Sequence, residues 1–459
     1  MLFVLKGIIV EVHALKAKFG EVYPNAPEPA VCRAPGRVNL IGEHTDYNGL
    51  PVLPMAIAQE ILIAVAPASG NSVRIHNVRP DFPPEGFANT PEIGPSAPGS
   101  SANYCKAAVQ ALNQYLEVDH FPGMDLLVAS TLPIAAGLSS SSALVVGCAL
   151  AYLHTLQVPL GENGISRLKL AELLAEAEHY VGTRGGGMDQ TVILNGDAGH
   201  GCKINFFPLR LELTPLPEDC AIVVCDSMVK VQKSGVALDR YNAGPRQCAL
   251  ACALVARQVR EEFGEEVALE RLGDLWYGGL CLTYREAEEL CLRAVPGERT
   301  PLAAAAKRLN ATEEALRETY LGALPEPDGG FPLMARLRHQ RTEYRRVEQA
   351  RDALLAGDSQ AFGALMNASH ESCALDFEIS SPELETLVSA ARTHGALGAR
   401  LTGAGFGGAT VNLVPHERLE GFLEGIARSY YLEHLHYDGE PPVFVAAPSA
   451  GAGYVNSVS

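Results

Sequence analysis

The sequence predicts a mixed helix-and-strand fold of two or three domains, from three observations. The chain has 459 residues, more than one core usually holds at roughly 100–200 residues per domain. Short apolar or β-branched runs alternate with long helical patterns. No internal repeat at a period of about 20–50 residues is visible, which removes solenoids and propellers.

The start, MLFVLKGIIVEVH, reads as a first strand or helix. Lys6 interrupts its apolar run and Glu11 follows without a small-residue cleavage site, so a targeting segment is not expected. Strands are expected at 60–65 (EILIAV), 124–128 (MDLLV), 220–225 (CAIVVC) and 410–414 (TVNLV). Helical patterns occupy 142–157, 166–180, 249–263, 340–356 and 382–393. Segments 77–101 and 324–332 are rich in chain-breaking residues and read as surface loops. The Gly-marked region 195–207 suggests a junction, giving domains 1–205 and 206–459.

Composition excludes several classes. Hydrophobic residues make up 47% and charged residues 19%, enough apolar surface to rule out global disorder. The net charge of −17 repels a nucleic-acid backbone at long range, while leaving room for a local basic pocket for a small phosphate. The 11 cysteines form neither a CxxC nor a zinc-spaced cluster, and their apolar neighbours suit buried thiols of a reducing cytosol. No apolar run reaches the roughly 18 residues of a membrane span. A cytoplasmic protein is expected.

Three loops carry chemistry. Segment 33–57 is RAPGRVNLIGEHTDYNGLPVLPMAI, in which Glu43, His44 and Asp46 fall within four residues between Gly42 and Gly49. Carboxylates there could accept from vicinal hydroxyls, with Arg37 and Asn39 as donors, although an acidic solvated turn would look the same. Segment 132–144, LPIAAGLSSSSAL, runs through four serines into an apolar helix. Backbone N–H groups and hydroxyls at a helix N-terminus favour an anion, whereas a simple N-cap needs only one serine. Segment 398–414, GARLTGAGFGGATVNLV, fits G-x-G-x-x-G at Gly403, Gly405 and Gly408. A β-like run follows these glycines where a Rossmann turn would open a helix, so they indicate only a backbone passing close to a ligand or another segment.

A fourth stretch, EHYVGTRGGGMDQ at 178–190, sets Asp189 after three glycines, either beside open space or as a helix N-cap. Walker A and protein-kinase signatures are absent from the sequence.

The three loops, in this order, resemble the three motifs of the GHMP small-molecule kinases. GRVNLIGEHTDYNG followed by LPMAI resembles the galactokinase signature, and RHQRTEYRRV, SHESCALDFEISSPELETLV, GARLTGAGFGG and FVAAPSAGAG extend the likeness over nearly the whole chain. The resemblance implies a two-lobed α+β fold. Its N-terminal α/β lobe would be of ribosomal protein S5 domain 2-like form, its C-terminal lobe ferredoxin-like, with the active site between them.

The resemblance further implies ATP-dependent phosphorylation of the anomeric hydroxyl of galactose to galactose 1-phosphate by a monomer. Arg37, Glu43, His44, Asp46, Gly186 and Tyr241 would hold the sugar. Gly137, Leu138, Ser139, Ser140, Ser141 and Ser142 would wrap the ATP phosphates, and Ser141 with Glu178 would reach Mg²⁺. Asp189 would be the catalytic base, with Arg37 close beside it.

Two features depart from galactokinases proper, which carry Cys-Gly-Ile-Met-Asp-Gln where Gly185, Gly186 and Gly187 precede Met188 here. The glycines and the fourth serine look more like an N-acetylgalactosamine kinase branch, the runner-up reading. A non-catalytic galactose and ATP sensor is a further alternative, which the intact serine loop argues against.

Overall fold

The computed structural model describes residues 12–97, 99–133, 136–182, 185–230 and 236–455, with backbone alone for 236–241. The expected first element at the very start lies outside the described residues up to position 11; helix α1, Val12–Val22, takes up the chain there.

The first sheet has six strands in the order β12-β1-β2-β5-β3-β4. In chain order these are β1 (Ala30–Ile41), β2 (Leu53–Ala68), β3 (Ser72–Asn77), β4 (Glu85–Ala88), β5 (Gly123–Ser130) and, returning from the far end of the chain, β12 (Gly453–Tyr454). Only β3 and β5 run parallel. Alternation along β2 explains why the sheet is covered twice. Leu62, Ala64 and Ala66 pack with Leu15 and Phe19 of α1, whereas Ile61, Ile63 and Val65 face the main core with helices α2 (Ala102–Tyr115) and α3 (Ser140–Thr155). Helix α3 is buried almost continuously from Ser142 to Leu153, as its apolar sequence requires.

Helices α4 (Arg167–Ala177) and α5 (Met188–Asn195) and the hairpin β6 (His200–Asn205) and β7 (Arg210–Pro215) complete the first half. The second sheet is antiparallel in the order β11-β8-β10-β9. Its strands are β8 (Cys220–Asp226), β9 (Gly398–Thr402), β10 (Ala409–Pro415) and β11 (Val443–Val445). Val223 and Cys225 face helices Pro382–Thr393 and Leu419–Ile426, while Ile222 and Val224 join the core of the first lobe. The two sheets therefore share one apolar core. A separate helical core forms around Leu254, Leu290, Phe331 and Leu337.

All four expected strands and five expected helices are present, the helix Pro382–Thr393 with its expected bounds and the others with shifted ends. Helix α6, Val236–Phe263, begins 13 residues before the expected start at 249 and carries Pro245 inside it, a residue that ordinarily interrupts a helix. The helix Leu333–Leu355 starts seven residues earlier than expected, directly after Pro332. The pattern expected to continue to 180 stops at Ala177 and becomes a 3₁₀ turn, Glu178–Val181, ended by Gly182 at φ +86°. The segment 77–101 is not wholly loop, since it contains edge strand β4, paired to β3 from Ser72↔Ala88 to Ile75↔Glu85. Gly86 permits that pairing, as a Cβ there would lie 2.8 Å from the Val73 carbonyl oxygen. All cysteines except Cys281 are buried.

Candidate active site

The three loops meet at one place between the lobes. The glycines at 403–408 connect β9 to β10 as a tight strand-to-strand turn, so the dinucleotide reading fails on structure as it did on context. What they approach is another chain segment: a Cβ on Gly403 would lie 2.7 Å from the Gly137 carbonyl oxygen. Both residues have positive φ, +84° and +76°, which glycine adopts without strain.

Ser139 occupies the N-cap position of α3 in the left-handed region, φ +56°, yet its side chain makes no cap bond. Its hydroxyl instead donates to Asp189 Oδ2. Asp189 is not a helix N-cap, contrary to one of the two sequence readings. That position belongs to Gly187 at φ +97°, and Asp189 stands in the first turn of α5. Arg37, on β1, donates from Nε to Asp189 Oδ1 at 2.7 Å and from Nη2 to Oδ2 at 3.1 Å, while its Nη1 donates to the Gly137 carbonyl at 2.5 Å. One buried guanidinium thus ties the acidic residue to the serine loop. Ser140 and Ser141 are half-buried at the opening of the helix.

Beyond β1 the chain turns through Glu43 and His44. Glu43 is buried, and its Oε2 accepts from Nη2 of the fully buried Arg400 on β9 at 3.0 Å. Burial raises the Glu43 pKa even against the pull of Arg400 and Arg37. His44 Nε2 faces the Ala404 carbonyl at 3.2 Å and Nδ1 faces the Tyr47 hydroxyl at 3.2 Å. A carbonyl only accepts, so Nε2 carries the proton and Nδ1 accepts from Tyr47. Burial pushes the His44 pKa down to about 4, keeping the ring neutral. Asp46 Oδ2 accepts the Gly186 N–H at 3.0 Å, and burial together with the nearby Asp189 charge raises its pKa.

These residues line a narrow cleft of about 70 Å³, bounded by Arg37, Glu43, His44, Asp46, Glu178 and Asp189. Beside it lies a larger, mostly apolar cavity of about 330 Å³ that shares Arg37 and includes Ile75, Phe82, Tyr104, Leu138, Ser141 and Leu144. The serine loop separates an acidic, hydroxyl-sized site from an apolar one. Glu178, on the 3₁₀ turn, is buried against the first cleft. Among the described residues no group of three or more His, Cys, Asp and Glu could hold a metal ion. A carboxylate from Glu178 and a hydroxyl from Ser141 are nevertheless hard oxygen donors of the kind Mg²⁺ accepts when phosphates and water supply the rest.

Of the residues named from sequence, Arg37, Glu43, His44, Asp46, Asp189, Glu178 and the serine loop border these two adjoining spaces. Tyr241 lies in α6, with its side chain outside the described residues. Sequence reasoning did not single out Tyr47, Arg400, His339, Gln340 or Glu343, all within bonding distance of the Glu43 and His44 turn or its neighbours. The last four lie about 300 or more residues along the chain from that turn, and no local pattern connects them.

Three family models match this chain. The galactokinase galactose-binding signature matches residues 17–67, the GHMP kinases N terminal domain 103–197 and the GHMP kinases C terminal domain 350–432. A galactokinase of Roseiflexus sp. is 35% identical over 96% of each chain. The galactokinase of Dictyostelium discoideum is 31% identical, with 96% of this chain and 93% of that one covered. The crystal structure of Lactococcus lactis galactokinase complexed with galactose superposes with a TM-score of 0.77 at 26% identity, covering 96% of this chain and 99% of that one. A mevalonate kinase at 17% identity and TM-score 0.54 shares the fold.

Proposed function

The chain belongs to the galactokinase family of GHMP kinases, and from that premise we propose how its cleft transfers phosphate from ATP to galactose. It is an enzyme that phosphorylates galactose. Galactose would occupy the narrow cleft, with Glu43, His44 and Asp46 reading its hydroxyls and the anomeric hydroxyl toward Asp189. The adenine would enter the apolar cavity around Ile75, Tyr104 and Leu144, leaving the phosphates over the serine loop at the N-terminus of α3.

The observation that carries this reading is the Arg37–Asp189 pair, which stands at the boundary of the two cavities. Asp189 Oδ1 accepts from Arg37 Nε at 2.7 Å, and a carboxylate oxygen can accept from more than one donor. The sugar hydroxyl would donate there. As the bond from its oxygen to the γ-phosphorus forms, its proton passes to Asp189. The bond from phosphorus to the ADP leaving oxygen breaks. The guanidinium of Arg37 lies beside the developing charge on the phosphoryl oxygens. Mg²⁺, held by Ser141 and Glu178, would supply charge neutralisation on the phosphates.

N-acetylgalactosamine is not favoured as the natural substrate, because two of the three glycines that suggested it have backbone reasons to be glycine. A Cβ on Gly186 would lie 2.3 Å from Tyr47 N, and Gly187 has a positive φ. No helix among the described residues is long and apolar enough to cross a membrane. ADP release measured over galactose, N-acetylgalactosamine, galactosamine, arabinose and glucose tests the assignment. Galactose should lead the panel, and absence of ADP release with galactose would overturn it.

A further inference from the structure

The turn from Gly42 to His44 lies outside helix and strand, so its backbone donors and acceptors need partners from elsewhere. Four of its polar groups find them on a single helix of the other lobe, Leu333–Leu355. Glu343 Oε1 accepts from the N–H of Gly42 at 2.9 Å and of Glu43 at 3.4 Å. His339 Nε2 donates to the Glu43 carbonyl at 2.9 Å, and Gln340 Nε2 donates to the His44 carbonyl at 2.8 Å. Positions 339, 340 and 343 lie on one helical face, and all three residues are 0% exposed.

The clamp is itself fixed from behind. Ser369 donates to Glu343 Oε1, and Arg346 Nε donates to Oε2 at 2.6 Å. Although burial opposes it, the charges of Arg346 and Arg400 hold the Glu343 pKa down to about 2, so it accepts as an anion. His339 must carry its proton on Nε2 to donate to a carbonyl, and its Nδ1 lies 3.0 Å from the Ser372 hydroxyl. His44 sits at φ +57°, a conformation that a non-glycine residue rarely adopts and that neighbouring bonds must sustain.

We propose that Glu343, His339 and Gln340 are positioning residues for galactose: they hold the backbone of the sugar-binding turn, and through it the side chains of Glu43, His44 and Asp46, without touching the sugar. The inference rests on the reading that this turn binds galactose. It also implies a division of labour between the lobes. The first lobe supplies the groups that face the sugar, and a helix of the second sets where those groups stand.

The test compares Gln340→Met, Glu343→Gln and, as a direct probe of the turn, Asp46→Ala in the full-length enzyme. Gln340→Met keeps the volume but strands the buried His44 carbonyl, a loss large enough to raise KM for galactose roughly ten-fold. KM for ATP should stay within about two-fold of wild type, because the serine loop does not depend on this helix. Glu343→Gln should raise galactose KM further in whatever fraction folds, and Gln340→Met decides the matter if Glu343→Gln does not fold. Parallel increases in KM for both substrates would mean general structural damage and overturn the proposal. Unchanged galactose KM in Gln340→Met, beside a raised value in Asp46→Ala, would overturn the clamp alone. Unchanged galactose KM in Asp46→Ala would overturn the sugar-turn reading beneath it.

Discussion

Arg37 and Asp189 are joined by two hydrogen bonds, Nε to Oδ1 at 2.7 Å and Nη2 to Oδ2 at 3.1 Å, across 152 residues of sequence. The arginine's third donating nitrogen reaches the Gly137 carbonyl, so the same side chain fixes the carboxylate and the first residue of the phosphate loop. The planar fork of arginine permits this and a lysine ammonium does not.

That pairing fixes the orientation of Asp189, which we propose accepts the proton of the sugar hydroxyl. Asp189→Asn preserves the shape but replaces one carboxylate oxygen by a nitrogen that donates where Arg37 also donates. Binding of galactose and ATP should persist while kcat falls roughly 10²-fold or more, the usual scale for losing acid/base help. Equilibrium binding and steady-state turnover measured together check it, and near wild-type kcat would remove Asp189 from proton transfer.

The serine loop yields a second expectation because its hydroxyls do not perform the job of a cap. Ser139 bonds Asp189, and the helix begins without a side-chain cap bond. Ser141→Ala should therefore cost nucleotide use far more than the ~1 kcal/mol of stability expected from a lost cap. KM for Mg·ATP should rise or kcat should fall while the melting temperature moves little. A lower melting temperature with unchanged kinetics would reduce Ser141 to a structural role.

The legible part of this protein is what lies close together in sequence. The motif 42–46, the four serines and Asp189 announced themselves because chemistry-bearing residues cluster within a few positions. Strands such as Cys220–Asp226 were legible because apolar β-branched runs have one common use. Arg400 was given no role, since it lies in GARLTGAGFGG, a stretch read through its glycines, and only the fold shows it fully buried against Glu43. Strand β4 was missed for a related reason: EGFA is short, glycine-containing and half exposed, and pairing with β3 rather than propensity makes it a strand. The junction of the two cavities depends on contacts between segments far apart in the chain, so no window of sequence contains it.

Selectivity among sugars should follow from how completely the acidic turn is already engaged. Glu43 accepts from Arg400, and Asp46 accepts from Gly186 N–H, so each carboxylate bordering the cleft is held in a fixed orientation. An epimer whose hydroxyl points elsewhere leaves those groups unpaired in a closed cleft. Glucose, which differs from galactose only at C4, should be a very poor substrate, and Asp46→Ala should depress kcat/KM for galactose. Comparable kcat/KM for the two sugars in the wild type would contradict this account of the turn.

The buried histidines set a pH dependence of stability. Burial pushes His44 and His339 down to about 4, whereas an unfolded histidine titrates near 6.5. Between those values the unfolded chain binds more protons, so stability rises with pH across the window and is lost as pH falls through it. The slope approaches about 1.4 kcal/mol per pH unit for each histidine. Glu43 and Asp46, raised by burial, act in the opposite sense as pH climbs past ordinary carboxylate values. His339→Gln separates the contributions, because glutamine can still donate to the Glu43 carbonyl but cannot take up a proton. The drop in melting temperature from pH 7 to pH 5 should be smaller in His339→Gln than in wild type, and equal drops would show that the folded protein protonates His339 as readily as the unfolded chain does.

The glycine run offers the sharpest local contrast, because its three members face different surroundings. Among the described residues nothing lies within 4 Å of a Cβ built on Gly185. On Gly186 the same atom would lie 2.3 Å from Tyr47 N and 2.4 Å from the Asp46 carbonyl carbon, both backbone, so the Asp46 turn itself would have to move. That movement would also break the Gly186 N–H bond to Asp46 Oδ2. Gly186→Ala should therefore lower kcat/KM for galactose by roughly ten-fold or more, as overpacking against unyielding backbone does. Gly185→Ala should leave it close to wild type. Gly185 and Gly187 both line the cleft, but Gly187 has a positive φ of +97°, so Gly185 is the position where a side chain can fill the room beside the sugar for a C2 substituent. Any slow turnover of N-acetylgalactosamine should thus fall in Gly185→Cys while galactose turnover is retained. If Gly185→Ala is as damaging as Gly186→Ala, the two positions are not distinguished by backbone contact and the assignment of Gly186 as the support of Asp46 fails.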